Sequence, residues 1–279
     1  MGWLEAIVLG IVQGLTEFLP ISSSAHVSIV GRLVFGGDPG AAFTAMCQLG
    51  TEFAVVVYFR RDIARIISAW CRALFGRVPQ DHPDVRMGWL VIIGSIPIVV
   101  LGLLFQDQIE STLRNLWITV AMLAGFAVVI GVVDRFARNE RQLDQLTWKH
   151  GIFYGLAQSL ALIPGVSRSG GTIAAGLAMG YRREVAARYS FLLAIPAVLG
   201  SGFYQLAKVV RDEGASAPWG PVALATVISF AIGLAVIHWL LRYISTHTFT
   251  PFVIYRIVIA AVVAALLLTG ALPAVAPGT

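Results

Sequence analysis

Residues 13–26 read Gln13-Gly-Leu-Thr-Glu17-Phe-Leu-Pro20-Ile-Ser22-Ser23-Ser24-Ala-His26, and they interrupt an apolar run that extends from about residue 2 to 35. Gln13 and Glu17 are four residues apart, so they share one helix face. Pro20 stops that helix. Ser22, Ser23 and Ser24 are favoured caps for the helix that follows, with His26 in its first turn. Each side of the break is shorter than the roughly 20 apolar residues that cross a bilayer. The reading is a pair of half-helices that enters a membrane and turns back, since broken helices are tolerated where they line a cavity. The bland alternative is one kinked spanning helix followed by a loop.

The same pattern recurs at 150–180, where Pro164-Gly165-Val166-Ser167-Arg168-Ser169-Gly170-Gly171-Thr172 breaks a second apolar region. Six uninterrupted apolar segments complete the chain, at about 40–59, 87–105, 116–134, 186–207, 219–241 and 251–272. Composition agrees with a membrane protein. Of 279 residues, 57% are hydrophobic and 13% charged, with mean hydropathy +0.80 and pI about 9.6. A soluble domain carries about 25% charged residues. A soluble globular fold, a disordered chain, a disulfide scaffold and a nucleic-acid-binding domain are thereby excluded. Cys47, in an apolar run, and Cys71, in a basic loop, read as free thiols. The opening MGWLEAIVLG lacks a basic leader and a cleavage site, so it reads as part of the mature protein.

Basic residues set the expected orientation. Arg60, Arg61, Arg65, Arg72, Arg77, Arg86, Arg135, Arg138, Arg141, Lys149 and Arg242 fall on one side, against Arg114, Lys208 and Arg211 on the other. Arg182, Arg183 and Arg188 join the larger group. Positive-inside bias makes that side cytoplasmic and puts both termini outside.

An internal repeat follows at an offset of 145. Gly10 falls on Gly155, Gln13 on Gln158, Leu15 on Leu160, Ser22 on Ser167 and Ser24 on Ser169. Further on, Ala41-Ala42 falls on Ala186-Ala187 and Tyr58-Phe59 on Phe203-Tyr204. Three spans separate the two broken pairs, so the second copy is inverted. The expected fold is an all-α integral membrane protein, one polytopic domain over 1–279. It has repeats at about 1–134 and 146–279, six transmembrane helices and two re-entrant half-helix pairs. The two tips then meet near the midplane, where inverted repeats place polar sites.

The chemistry at such a meeting point is anion chemistry. Two helix N-termini direct free N–H groups and positive dipole ends at one spot, a setting that favours phosphate. Arg168 adds a donor fork suited to phosphate oxygens. A carboxylate at Glu17 within lipid is costly and marks function. Taken alone, the serines read equally as simple caps and His26 as a hydrogen-bonded core residue. Glu52, in the Gly50-Thr51-Glu52 stretch, reads either as functional or as a residue near an interface, and His82, His150, His238 and His247 have no obvious partner. No zinc-type ligand spacing is present.

The strings GLTEFLPISSSAH (14–26) and PGVSRSGGT (164–172) resemble the two signature motifs of the BacA-type undecaprenyl-diphosphate phosphatases. The stretches Gln48-Leu-Gly-Thr and Tyr189-Ser-Phe-Leu-Leu-Ala-Ile-Pro196 are similar to that family as well, so the resemblance covers nearly the whole chain. It implies hydrolysis of undecaprenyl diphosphate to the monophosphate and inorganic phosphate in the bacterial plasma (inner) membrane. That reaction recycles the cell-wall lipid carrier and confers bacitracin resistance. By resemblance, Glu17, Ser23, His26 and Arg168 are catalytic. Gln13, Ser22, Ser24, Ser167, Ser169 and Thr172 would hold the substrate. The family's first motif carries Glu or Gln at the position of Gln13; glutamine there cannot be a base, which throws weight onto Glu17. The resemblance also suggests a divalent cation, Mg²⁺ or Ca²⁺, on Glu17, although the site has too few carboxylates for a cage built by protein alone.

Three attack routes fit these residues: Ser23 with His26 or Glu17 as base, His26 itself, or water with Glu17 and His26 as acid and base. Ser23 is preferred by a small margin. The expected site opens to the outer face and draws its substrate from membrane lipid. Homo-oligomerisation is compatible with the sequence. The rival reading is a transporter or flippase of undecaprenyl phosphate, which needs an anion site but no nucleophile beside a base.

Overall fold

Hydrophobic segments of helical length account for the architecture. The computed structural model describes residues 1–212 and 218–275, and among these the chain is helical, with no strands. In order, the helices are α1 (Trp3–Thr16), α2 (Ser23–Phe35), α3 (Gly40–Tyr58), α4 (Arg60–Leu74), α5 (Pro83–Leu104), α6 (Gln106–Glu110), α7 (Leu116–Phe136), α8 (Trp148–Ser159), α9 (Arg168–Ala178), α10 (Arg183–Asp212), α11 (Trp219–Ile244) and α12 (Thr250–Leu268). Starts are set locally. Asn115 caps α7 by accepting the Trp117 N–H, and Thr147 caps α8 by accepting that of His150. Pro83 opens α5, with the His82 ring accepting the Asp84 N–H.

Six helices, α3, α5, α7, α10, α11 and α12, are long and apolar enough to cross a membrane. This is a multi-pass membrane protein. The six expected segments all appear, and α10 overruns its expected 186–207 to reach Arg183 and Asp212. By contrast α1, α2, α8 and α9 have 14, 13, 12 and 11 residues. At 1.5 Å per residue they span roughly 17–21 Å, short of the ~30 Å hydrocarbon core.

One expectation is corrected. The basic segment after α3 is not a loop: residues 60–74 form α4. Its Ile63 and Ile66 pack on the main core, Trp70 stacks edge-on against Trp89 of α5, and its arginines face outward. Cys71 therefore sits, exposed, on a helix; Cys47 is buried, and both are free thiols as expected.

Packing is organised around two helix trios. In one trio α1 lies on α11, and α11 on α3; in the other α8 lies on α5, and α5 on α10. α7 bridges α9 and α12. Close approach requires glycine in both trios. A Cβ on Gly10 would sit 2.8 Å from the Ala225 carbonyl oxygen, and one on Gly155 2.5 Å from that of Gly94.

Polar residues collect at two ends of the bundle. One end holds Arg65–Asp84 at 2.9 Å, Arg188–Asp62 at 2.5 Å and Arg183–Asp134 at 2.6 Å; Asp134 also accepts the Phe249 N–H. The other end holds Asp38, paired with Arg32 at 3.1 Å and with Arg114. Arg32 also donates to the Arg114 and Ala274 carbonyls there.

Candidate active site

The two breaks meet. α1 ends at Thr16, and the chain turns through Glu17–Ile21 before α2 starts. Ser22 has φ 73° ahead of α2, and Ser167 has φ 73° ahead of α9. Such positive φ at a residue other than glycine costs of order 1–3 kcal/mol and persists only where the surroundings enforce it. Ser22 Oγ accepts the Gly165 N–H at 3.2 Å. Ser169 Oγ donates to the Leu19 carbonyl at 3.0 Å. Each tip thus closes the other's backbone.

A residue that sequence reasoning missed holds both tips. Arg256 of α12 is fully buried. Its Nη1 donates to Pro20 O (2.9 Å) and Val166 O (3.3 Å), and its Nη2 to Gly165 O (2.7 Å) and Met122 O (3.1 Å). Its Nε donates to Leu123 O at 3.1 Å. A guanidinium has five N–H donors, and all five are used. The signal was present in the sequence: a lone arginine inside the 251–272 apolar run is too costly in lipid to be idle.

In front of this staple lies a buried polar cluster. Glu17 is its centre. Its Oε2 accepts from Gln13 Nε2 at 2.7 Å and from the Ser23 hydroxyl, and its Oε1 accepts from Arg168 Nη2 at 2.6 Å. Arg168 Nη1 reaches Glu52 Oε2 at 3.4 Å. Glu52 thus belongs to the cluster, although it stands outside the site expected by resemblance. It projects from within α3 and is fully buried. Gln13 Oε1 and Glu52 Oε1 are buried without a hydrogen-bond partner.

His26 lies beside the cluster and faces another way. Its Nδ1 donates to the Ser22 carbonyl at 2.8 Å, because a carbonyl can only accept. Its Nε2 pairs with the Tyr255 hydroxyl at 2.8 Å, and the two rings stack with centroids 5.5 Å apart. Tyr255 is a second neighbour that the sequence did not announce. The hydroxyl of Ser23 goes to Glu17 instead.

The remaining expected residues are divided. Ser24 Oγ meets Ser22 Oγ at 3.3 Å, and Ser167 Oγ meets Ser169 Oγ at 3.1 Å. Ser167 also caps α9 through the Gly170 N–H. Thr172 turns away from Glu17: its hydroxyl bonds the Arg168 carbonyl and Ser190 of α10. The other histidines do have partners. His82 caps α5, His150 bonds Tyr181 and Arg141, His238 meets Arg242, and His247 bonds the Tyr243 carbonyl. Among the described residues no group of three or more His, Cys, Asp or Glu side chains is placed to hold a metal.

The arrangement offers a hydroxyl bonded to a carboxylate, a guanidinium beside them and two helix starts. A model of the family described as bacitracin resistance protein BacA matches residues 6–262. The chain belongs to that family. Relatives of this chain include an undecaprenyl-diphosphatase of Kineococcus radiotolerans, 65% identical over 274 residues, or 98% of this chain and 97% of the relative. An undecaprenyl-diphosphatase of Micrococcus luteus is 58% identical, covering 98% of this chain and all of its own length. Undecaprenyl-diphosphatase 2 of Agrobacterium fabrum is 56% identical over 98% of this chain and 99% of its own.

Proposed function

We propose that the protein hydrolyses undecaprenyl diphosphate to undecaprenyl phosphate and inorganic phosphate. Full-length relatives named undecaprenyl-diphosphatase support the substrate. The observation that carries the chemistry is the Ser23 hydroxyl donating to Glu17 while Arg168 donates to the same carboxylate. In this reading Ser23 Oγ attacks the terminal phosphorus and Glu17 takes the hydroxyl proton. The bond from phosphorus to the bridging oxygen breaks, and lipid monophosphate leaves. Water then attacks the phosphoserine, releasing inorganic phosphate and restoring Ser23. Arg168 and the N–H groups at the starts of α2 and α9 hold the phosphate oxygens as charge shifts. Glu17 suits the role of base better than His26, whose two ring nitrogens are already engaged by Ser22 and Tyr255.

A divalent cation fits the donors present, since Glu17 and the unpartnered Gln13 Oε1 are hard oxygen ligands. Bound Mg²⁺ or Ca²⁺ would neutralise phosphate charge there. In the bilayer, α1–α2 and α8–α9 are re-entrant pairs of an inverted repeat, 1–134 and 146–279. The equivalent trios, Gly10 with Gly155, and Ser22 with Ser167 at the same φ support this reading. The end bearing α4 faces the cytoplasm of a bacterial plasma membrane, both termini lie outside, and the site opens outward.

The test is phosphate release from undecaprenyl diphosphate by purified protein in detergent, with Glu17→Ala and Arg168→Ala. Each variant should lose at least about 10²-fold in rate. Well-folded wild-type protein that releases no phosphate across several divalent ions would overturn the reading in favour of a lipid-phosphate carrier.

A further inference from the structure

Glu52 is unexplained by the mechanism above. It is a fully buried carboxylate in a membrane-spanning helix, one oxygen on Arg168 and the other without a partner. A buried carboxylate in lipid is costly and is kept where it has a task. Gln13 of α1, joined to Glu52 through Glu17 and Arg168, also leaves a buried oxygen unpartnered. The charges are also incomplete. Arg168 pairs with both Glu17 and Glu52, two carboxylates on one guanidinium, so the cluster has no surplus positive charge with which to take in a diphosphate. Yet a buried polyanion needs one.

We propose that Glu52 is the second carboxylate of the site and that, with Glu17, it seats a divalent cation against which the diphosphate is held. This rests on the phosphatase reading for the identity of the anion, and the cation site itself does not. Two carboxylates from separate elements suit an ion such as Mg²⁺, which binds through one or two carboxylates, substrate phosphates and retained waters. In this chain α3 supplies the carboxylate that Gln13 does not, and the Gln13 Oε1 is a neutral oxygen toward the same ion.

The experiment is a Mn²⁺ titration of full-length protein in detergent, without substrate, with free Mn²⁺ read by electron paramagnetic resonance. Wild type should bind Mn²⁺, and Glu52→Gln should weaken it by at least about tenfold. The double variant Gln13→Glu/Glu52→Gln, which moves the carboxylate from α3 to α1, should recover most of that loss. Absence of Mn²⁺ binding by wild type, unchanged affinity in Glu52→Gln, or no recovery in the double variant would each overturn the proposal. Should Glu52→Gln not fold, Gln13→Glu alone decides: tighter Mn²⁺ supports the seat, and unchanged affinity refutes it. Phosphate release without Mn²⁺ binding would sink the seat and spare the phosphatase; binding without release would do the reverse.

Discussion

Asp38 shows how much one side chain outside the spans can carry. It sits in the link between α2 and α3, where it accepts from Arg32, Arg114, the Ser28 hydroxyl and the Gly40 N–H. Burial pushes its carboxyl upward, but Arg114, Ser28 and the Gly40 N–H outweigh burial and hold it at about 2, below the ordinary 3.8. A depressed folded value means that its stabilisation is complete above about pH 4 and is lost as pH falls towards 2. The contribution is about 2 kcal/mol at neutral pH. Asp38→Asn should therefore lower the thermal midpoint at pH 7 and flatten its decline between pH 4 and 2, read by thermal unfolding in detergent. A parallel decline in both proteins would refute the assignment. At this same scale the meeting of Glu17, Ser23 and Arg168 was legible because two motifs list them in sequence. Glu52 was not, since its partner lies 116 residues away and nothing local to α3 marks the pairing.

Helices make different demands. The six spans were legible because hydrophobicity over about 20 residues has no other outlet than lipid or a core. The helix α4 was missed for the converse reason: its arginines dominate a windowed reading, and only the spacing of Ile63, Ile66, Trp70 and Ala73 betrays a buried face. The approach of α8 to α5 was half-visible, as a glycine repeated 145 residues after Gly10. Its cause is steric, because Gly155 has the Gly94 backbone where a side chain would begin. Gly155→Val should cost about 1–3 kcal/mol or more through overpacking. Gly125→Val, at a glycine with nothing within 4 Å, is the control and should lose little. Equal thermal midpoints for the two variants would show that the helix pair yields without strain.

Across the whole molecule, the site is a junction of five separate elements: the α1–α2 turn, α3, the α8–α9 turn, α7 through its carbonyls, and α12. Sequence alone could pair the two tips through the repeat, but it could not show what clamps them. Removing that clamp takes the donor from the Pro20, Gly165 and Val166 carbonyl oxygens, which lie outside helices, at about 1–3 kcal/mol each, whereas Met122 and Leu123 keep their helical partners within α7. Arg256→Met should therefore cost more than Arg256→Lys, because an ammonium has three donors for five acceptors. Both variants should show lower thermal midpoints and slower phosphate release, Met the more severe. A fully stable Arg256→Met protein would mean that the tips hold each other through Ser22 and Ser169 alone.

The position of that clamp along the chain also imposes an order in time. Arg256 and Tyr255 both belong to α12, the last of the described helices, while the groups they hold lie between Pro20 and Val166. During synthesis Glu17, Ser23, Glu52 and Arg168 all precede the residue that joins the two tips. A chain that has not yet received α12 holds Glu17, Ser23 and Arg168 without the guanidinium that joins the two tips, and should release no phosphate.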